Sequence, residues 1–304
     1  MQRILSTYLF VNRRLTPAIL AEISRFGITH VELFCAHGHF DYRSPELARE
    51  LAGVLRDANL TVHAVHAPTS RDAGPTREGG TPLSISNPER MWRLEAVDEI
   101  KRALDLAEFI PFPYLVQHLG SSHDEPDPRR FDAAFSSLEH LHLFAKQRGV
   151  TIALENTPGE LATPANLRQF IADTRLHDVR LCFDFGHAHL EGGVVDGLET
   201  MRELVVTSHV HDNHGLKDEH LPPLEASLAD GAPSDGSIDW HAALKLVAVT
   251  GSQPAFPLVL ELKEQPALAD PAPPSASLEI ARRALDRLEE ALAAAAARGE
   301  EAGA

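Results

Sequence analysis

Cysteine is nearly absent: the chain of 304 residues has two, Cys35 and Cys182. Both sit inside apolar segments, where an unpaired thiol behaves as a small hydrophobe. No disulfide framework is expected, and the setting this implies is reducing and cytoplasmic. Basic residues are also in deficit, with 28 Lys and Arg against 44 Asp and Glu and a formal charge of −16. Affinity for nucleic acid rests on cationic neutralisation of phosphates, so this balance argues against a general polyanion binder. Only a local group, Arg71, Arg77, Arg90 and Arg93, runs the other way. Long apolar runs are missing too. The N-terminal MQRILSTYLFVNRRLT lacks the apolar region of a signal peptide, and no later run reaches membrane-spanning length. What the chain has in quantity is histidine, 17 residues, and their positions matter more than their number.

Short apolar, β-branched runs alternate with segments of helical period. The strands read from this pattern are residues 4–10, 29–35, 60–66, 114–120, 150–156, 179–185, 205–211 and 257–263. Several of the helical segments between them begin just after Ser, Thr, Asp or Pro. SLEIARRALDRLEEALAAAAARG closes the series as a strong helix. Eight strand–helix units in about 300 residues are the pattern of a (β/α)8 TIM barrel of the α/β class. A doubly wound sheet also alternates, but no GxGxxG turn follows the first strand. The expected domain is a barrel over residues 1–298, with 299–304 as a frayed tail. Two Gly-, Pro- and Ser-rich stretches, 67–88 and 212–237, interrupt the repeat directly after strands three and seven. Both fall on the C-terminal face, where barrel active sites form, and 67–88 is expected to act as a lid. Residues 265–276 read as a linker.

The polar residues at the strand ends converge on that face. They are Glu32, His63 and His66, Gln117 and His118, Glu155 and Asn156, Asp184 and His187, His209, His211 and Asp212, and Glu261 and Lys263. Asp218 and His220 follow in the seventh loop. Buried carboxylates and imidazoles are costly unless they are paired or bound to a metal. Histidine mixed with carboxylate and no cysteine suits Mn2+ or Zn2+, with Mg2+ or Co2+ as alternatives. Each residue also has a plainer reading. Glu155 and Glu261 can cap the next helix, Asp184 and His187 can be an ion pair, and His66 and His118 can be satisfied core histidines. Asp218 and His220 can simply be loop surface, as can His37 and His39.

VHAP (65–68), QHLG (117–120), ALEN (153–156), CFDFGHAH (182–189), HVHDN (209–213), DEHLP (218–222) and VLELK (259–263) resemble, in order, the motifs of the xylose-isomerase-like and endonuclease IV TIM-barrel superfamily. Within the superfamily the wording is closer to the proteins called sugar phosphate isomerase/epimerase than to the DNA repair enzymes. The resemblance implies metal ligands at His66, His118, Glu155, Asp184, His187, His209, Asp218, His220 and Glu261. In the seventh motif the pattern His-x-x-Asp favours His209, with His211 as the alternate. It also implies an enzyme acting on a sugar, sugar phosphate or polyol through an enediolate that a divalent ion stabilises. Glu155 and Glu261 would be the catalytic acid/base pair; Glu32, His66, His118, His187 and Lys263 would bind substrate. One ion suffices for that chemistry. A phosphoester hydrolase of the endonuclease IV kind, holding up to three ions, is the alternative, and a barrel that only binds a ligand or partner is a third reading. The partner implied is a small sugar-like molecule, with DNA and membrane disfavoured and a homo-oligomer left open.

Overall fold

In a computed structural model of the chain, which describes residues 1–71, 81–120, 124–225, 237–249, 256–264 and 273–303, eight parallel strands close into a barrel in sequence order. They are β1 (Ile4–Ser6), β2 (His30–Phe34), β3 (Thr61–His66), β4 (Tyr114–His118), β5 (Thr151–Glu155), β6 (Arg180–Asp184), β7 (Val205–Val210) and β8 (Val259–Leu260). Each lies within a run read from the sequence. β1 is shorter than expected, because Ser6 Oγ accepts the backbone N–H of Tyr8 and turns Thr7–Phe10 into a 3₁₀ helix. The helices are α1 (Pro17–Arg25), α2 (Pro45–Asp57), α3 (Arg90–Asp105), α4 (Arg129–Lys146), α5 (Pro164–Thr174), α6 (Phe185–Leu190), α7 (Val194–Met201), α8 (Trp240–Val249) and α9 (Pro274–Gly303). Thr16, Ser44 and Thr163 cap α1, α2 and α5 through their side chains, each followed by proline. The cap satisfies an orphan N–H and the proline presets the first helical φ.

The core lies chiefly between barrel and helices, built from outward strand residues such as Val31, Leu33, Leu115, Leu154, Leu181 and Phe183. Inside the barrel the residues are small: Ala64, Val116, Ala153 and Cys182. Both thiols are buried and unpaired, and burial pushes them above their ordinary range. They are inert fillers rather than nucleophiles.

Two register steps decide what the mouth contains. Between β2 and β3, Val31 faces Val62 but Glu32 faces Ala64, so His63 is an extra residue. Between β6 and β7, Leu181 faces Val205 but Cys182 faces Thr207, so Val206 is extra. Strand side chains alternate with period two, and an inserted residue exchanges the faces. Without the step at Val206, Asp184 would pair with Ser208; with it, Asp184 pairs with His209.

The arms of the loop after β3 pair with each other, through a bridge between Ser70 and Pro82 and a bond from Leu83 N–H to Thr69 O. Its tip, residues 72–80, lies outside the described residues, as do 226–236 of the seventh loop and 265–272 of the expected linker. The expectation of a lid at 67–88 therefore falls partly on undescribed chain. Among the described residues, no helix is long and apolar enough to cross a membrane.

Candidate metal centre

Glu155, the last residue of β5, is the hub. Its Oε2 lies 3.2 Å from His66 Nε2 at the end of β3 and 3.0 Å from His118 Nε2 at the end of β4. Its Oε1 lies 3.2 Å from His209 Nδ1 and 3.2 Å from His187 Nδ1. His209 Nδ1 also faces Asp184 Oδ2 at 3.6 Å and Glu261 Oε2 at 3.6 Å. A third group forms beyond it: Asp218 Oδ2 is 3.1 Å from His220 Nε2 and 3.5 Å from His187 Nε2. All of these residues are buried except His118, which is half-buried, and Asp218, which is partly exposed. The nine residues implied as ligands thus stand in three adjoining groups.

Local structure explains this placement. Asp184 caps α6 through His187 N–H at 2.7 Å, which sets His187 one turn from the strand end. This short helix is absent from the sequence reading, since FGHAHL shows no helical period and is only six residues long. Asn156 pins β6 with two bonds, donating to Asp184 O and accepting from Asp184 N–H, while its carbonyl lies 3.0 Å from His187 Nδ1. Behind His209, Glu32 Oε2 lies 3.1 Å from Nε2 and Glu32 Oε1 accepts from Ser6 Oγ at 2.9 Å. Two aromatic residues not read as part of the site complete the wall. Tyr8 packs on His220 at 4.8 Å and Phe34 on His66 at 4.6 Å between ring centroids. Their signal was position alone, since each lies at the C-terminal end of an apolar strand run.

His63 and Asp212, also gathered from the strand ends, are engaged outside the three groups. His63, the extra residue of β3, reaches Thr207 Oγ1 inside the barrel, and burial pushes its pKa down to about 4. Asp212 accepts from Trp240 Nε1, Ser237 Oγ, Ile238 N–H and Asn213 N–H, so its carboxylate is committed to structure. Lys263 is half-buried beyond β8, its backbone N–H bonded to His220 O. His39 faces Arg13 O and His37 stacks on Tyr42, both away from the centre. A cavity of about 620 Å3 lies beyond the ends of β4 and β5, bordered by Gly120 and Thr157 and lined by Phe131 and Phe170; none of the nine implied ligands lines it.

The donor set fits a divalent ion. Among the described residues nine buried side-chain atoms have no hydrogen-bond partner, and three of them, His209 Nδ1, His211 Nδ1 and Glu261 Oε1, fall in this centre. Such orphans are rare unless something else binds them. Nitrogen and carboxylate oxygen in this mixture suit zinc, manganese or cobalt. Without metal, protons must do the neutralising. Burial raises the carboxyls of Glu155, Asp184 and Asp218, but nearby imidazoles outweigh it and hold all three below the ordinary range. Burial likewise opposes charge on His187, His209 and His211, but the carboxylates outweigh it and lift all three.

These directions set a pH dependence. The depressed carboxyls contribute stability that is present above about 4.5 and lost as pH falls. The raised imidazoles contribute stability that is present below about 6.5 and lost as pH climbs through their folded values. Chelator-treated protein should therefore melt highest between roughly pH 4.5 and 6.5, and the increment from added Zn2+ or Mn2+ should grow with pH as the ion displaces protons. Melting curves across pH, with and without chelator, test this; a chelated protein that grows steadily more stable up to pH 8 would contradict it.

A closed barrel whose mouth carries three histidine–carboxylate groups defines a class of protein. The chain belongs to the xylose isomerase-like TIM barrel family, which it matches over residues 20–291. This agrees with the resemblance carried by its strand-end motifs. An uncharacterized protein of Sinorhizobium fredii is 29% identical over 219 residues, 65% of either chain. The protein of Natronomonas pharaonis named "Probable endonuclease 4" is 24% identical over 167 residues, 49% of this chain and 59% of that one. Among solved structures, a D-tagatose 3-epimerase-like protein superposes with TM-score 0.70 at 22% identity, covering 95% of this chain and 99% of its own. An L-ribulose 3-epimerase gives TM-score 0.74 at 17% identity, covering 99% and 97%. At these identities the likeness is one of fold.

Proposed function

We propose that the protein is a divalent-metal-dependent isomerase or epimerase of a sugar or related polyhydroxy carbonyl compound. The observation that carries this reading is the convergence of carboxylate oxygens of Glu155, Asp184 and Glu261 within 3.2 to 3.6 Å of the buried Nδ1 of His209. These four residues would hold the ion, and bound there it supplies Lewis acidity toward a carbonyl and its neighbouring hydroxyl. Glu155 and Glu261 do the proton work. They stand at the ends of β5 and β8, three strands apart in a ring of eight, and so approach a substrate from different sides. One carboxylate takes the proton on the carbon beside the carbonyl and the other returns a proton at that carbon or its neighbour. Glu32 is better placed to hold His209 than to touch substrate, because its Oε2 meets Nε2 of that ring, the nitrogen turned away from the other carboxylates, and its Oε1 accepts from Ser6. The fold-level likeness to sugar 3-epimerases supports the substrate class.

A second reading, phosphoester hydrolysis, is favoured by one observation: His66 and His118 on one side of Glu155, and His187, Asp218 and His220 beyond it, supply ligand types that a single-ion isomerase does not need. Adjacent ions could activate water and stabilise a leaving oxygen. One assay separates the two readings. Protein loaded with Mn2+, Zn2+ or Co2+ is incubated in D2O with a panel of ketoses, aldoses and their phosphates, and with bis-p-nitrophenyl phosphate. Deuterium entering the carbon beside a sugar carbonyl is the expected result. Nitrophenol release with no deuterium in any sugar would replace the first reading by the second.

A further inference from the structure

His211 is outside the nine residues that the motif resemblance assigns when His209 is taken as the ligand, yet it is fully buried in the same centre. Its Nε2 lies 3.1 Å from Asp184 Oδ2 and 3.8 Å from Asp218 Oδ1, while the other oxygen of Asp218 meets His220 Nε2 at 3.1 Å. The rings of His211 and His220 lie nearly parallel, 4.0 Å apart at 24°. One carboxylate thus spans the Nε2 atoms of two stacked imidazoles, with His187 edge-on to His211 at 5.8 Å.

Gly186 makes this possible. A Cβ there would stand 2.0 Å from His211 Cε1 and 2.4 Å from Nδ1, closer than any carbon can come. The residue lies in helix α6, so glycine is required for space rather than for an unusual backbone conformation. The seat is locked from below, where Asn213 Nδ2 donates to Gly186 O at 2.9 Å and Asn213 Oδ1 meets His189 Nδ1 at 3.0 Å.

We propose that His211 is an additional metal ligand, joining Asp184 to the His187–Asp218–His220 group, and that residue 186 is glycine in order to seat its ring. The proposal rests on the reading that the mouth binds divalent ions, and it concerns which ion and which residues. With three imidazoles and two carboxylates in reach, this position takes a borderline ion, Zn2+ or Co2+, in preference to Mg2+.

The test is Co2+ titration of the chelator-stripped full chain, followed by visible absorption, with elemental analysis per chain. Wild type is compared with His211→Asn, Gly186→Ala and Asp218→Ala. His211→Asn and Gly186→Ala should lose, or bind at least about tenfold more weakly, the same ion that Asp218→Ala loses, with the same change in spectrum, and should keep the ion centred on Glu155. Because Gly186→Ala can also impair folding, the double variant Gly186→Ala/His211→Ala is included. Removing the ring should restore melting temperature in chelator relative to Gly186→Ala alone. Ion count, affinity and spectrum unchanged in His211→Asn would overturn the proposal and leave His211 as a counter-ion of Asp184. A wild-type chain that binds no Co2+ or Zn2+ would overturn the metal-dependent reading with it. A wild type that binds ions but turns over neither sugars nor phosphoesters would overturn only the proposed function.

Discussion

Glu155→Gln should lower turnover by on the order of 10^4-fold, combining the loss of an acid/base group with the loss of an ion's electrostatics. The amide is nearly isosteric, so the barrel has no packing reason to change. What changes is chemistry on both sides of one side chain. Oε2 faces His66 and His118, Oε1 faces His209 and His187, and an amide presents N–H on one of these sides. That nitrogen cannot bind a cation and would point a donor at imidazoles that the native carboxylate draws close. Metal content should fall with activity, whereas Asp218→Ala should leave the ion of the His209 group in place. Metal per chain and the deuterium-exchange rate check this together. A variant within tenfold of wild type in both would remove Glu155 from the centre of the mechanism.

The largest effect on stability away from the histidine–carboxylate groups is expected at Asp212. Asp212→Ala should cost roughly 3 kcal/mol, since buried donors left without an acceptor each carry a desolvation penalty of about 1–3 kcal/mol. The donors are the indole of Trp240, the Ser237 hydroxyl and the backbone N–H of Ile238 and Asn213. Trp240 opens α8, so the carboxylate ties the end of β7 to the next helix. Asp212 also exchanges two backbone bonds with Leu221, the turn that brings Asp218 and His220 back to the mouth. Asp212→Asn keeps one acceptor oxygen and should cost less than half as much. Denaturant titration of chelated protein measures both, and an alanine variant within about 0.5 kcal/mol of wild type would show that water replaces the carboxylate.

Asp212 also shows where reading along the chain runs out. In HVHDN the acid looks like His209 and His211, a polar residue at the end of a strand. Only the packing of α8 separates the carboxylate that is committed to an indole from those that face the histidines of the mouth. Glu32 teaches the same lesson in reverse, since a strand-end acid at the mouth proves to be fully buried behind His209.

The barrel itself was legible because each strand is a short β-branched run between turn signals, and burial on both faces keeps such runs apolar. The candidate site residues were legible because a buried imidazole or carboxylate has few explanations other than pairing or metal. Which residues meet was not legible. The extra residue at Val206 turns His209 rather than Ser208 toward Asp184, and nothing in VVTSHV marks it. The space over Gly186 that admits His211 exists only once α6 lies against the end of β7. Composition and order along the chain therefore determined the barrel and the residue types at its mouth, since both follow from which residues can be buried and at what cost. Tertiary structure decided the grouping, since register and close approach depend on neighbouring strands and helices that are distant in sequence.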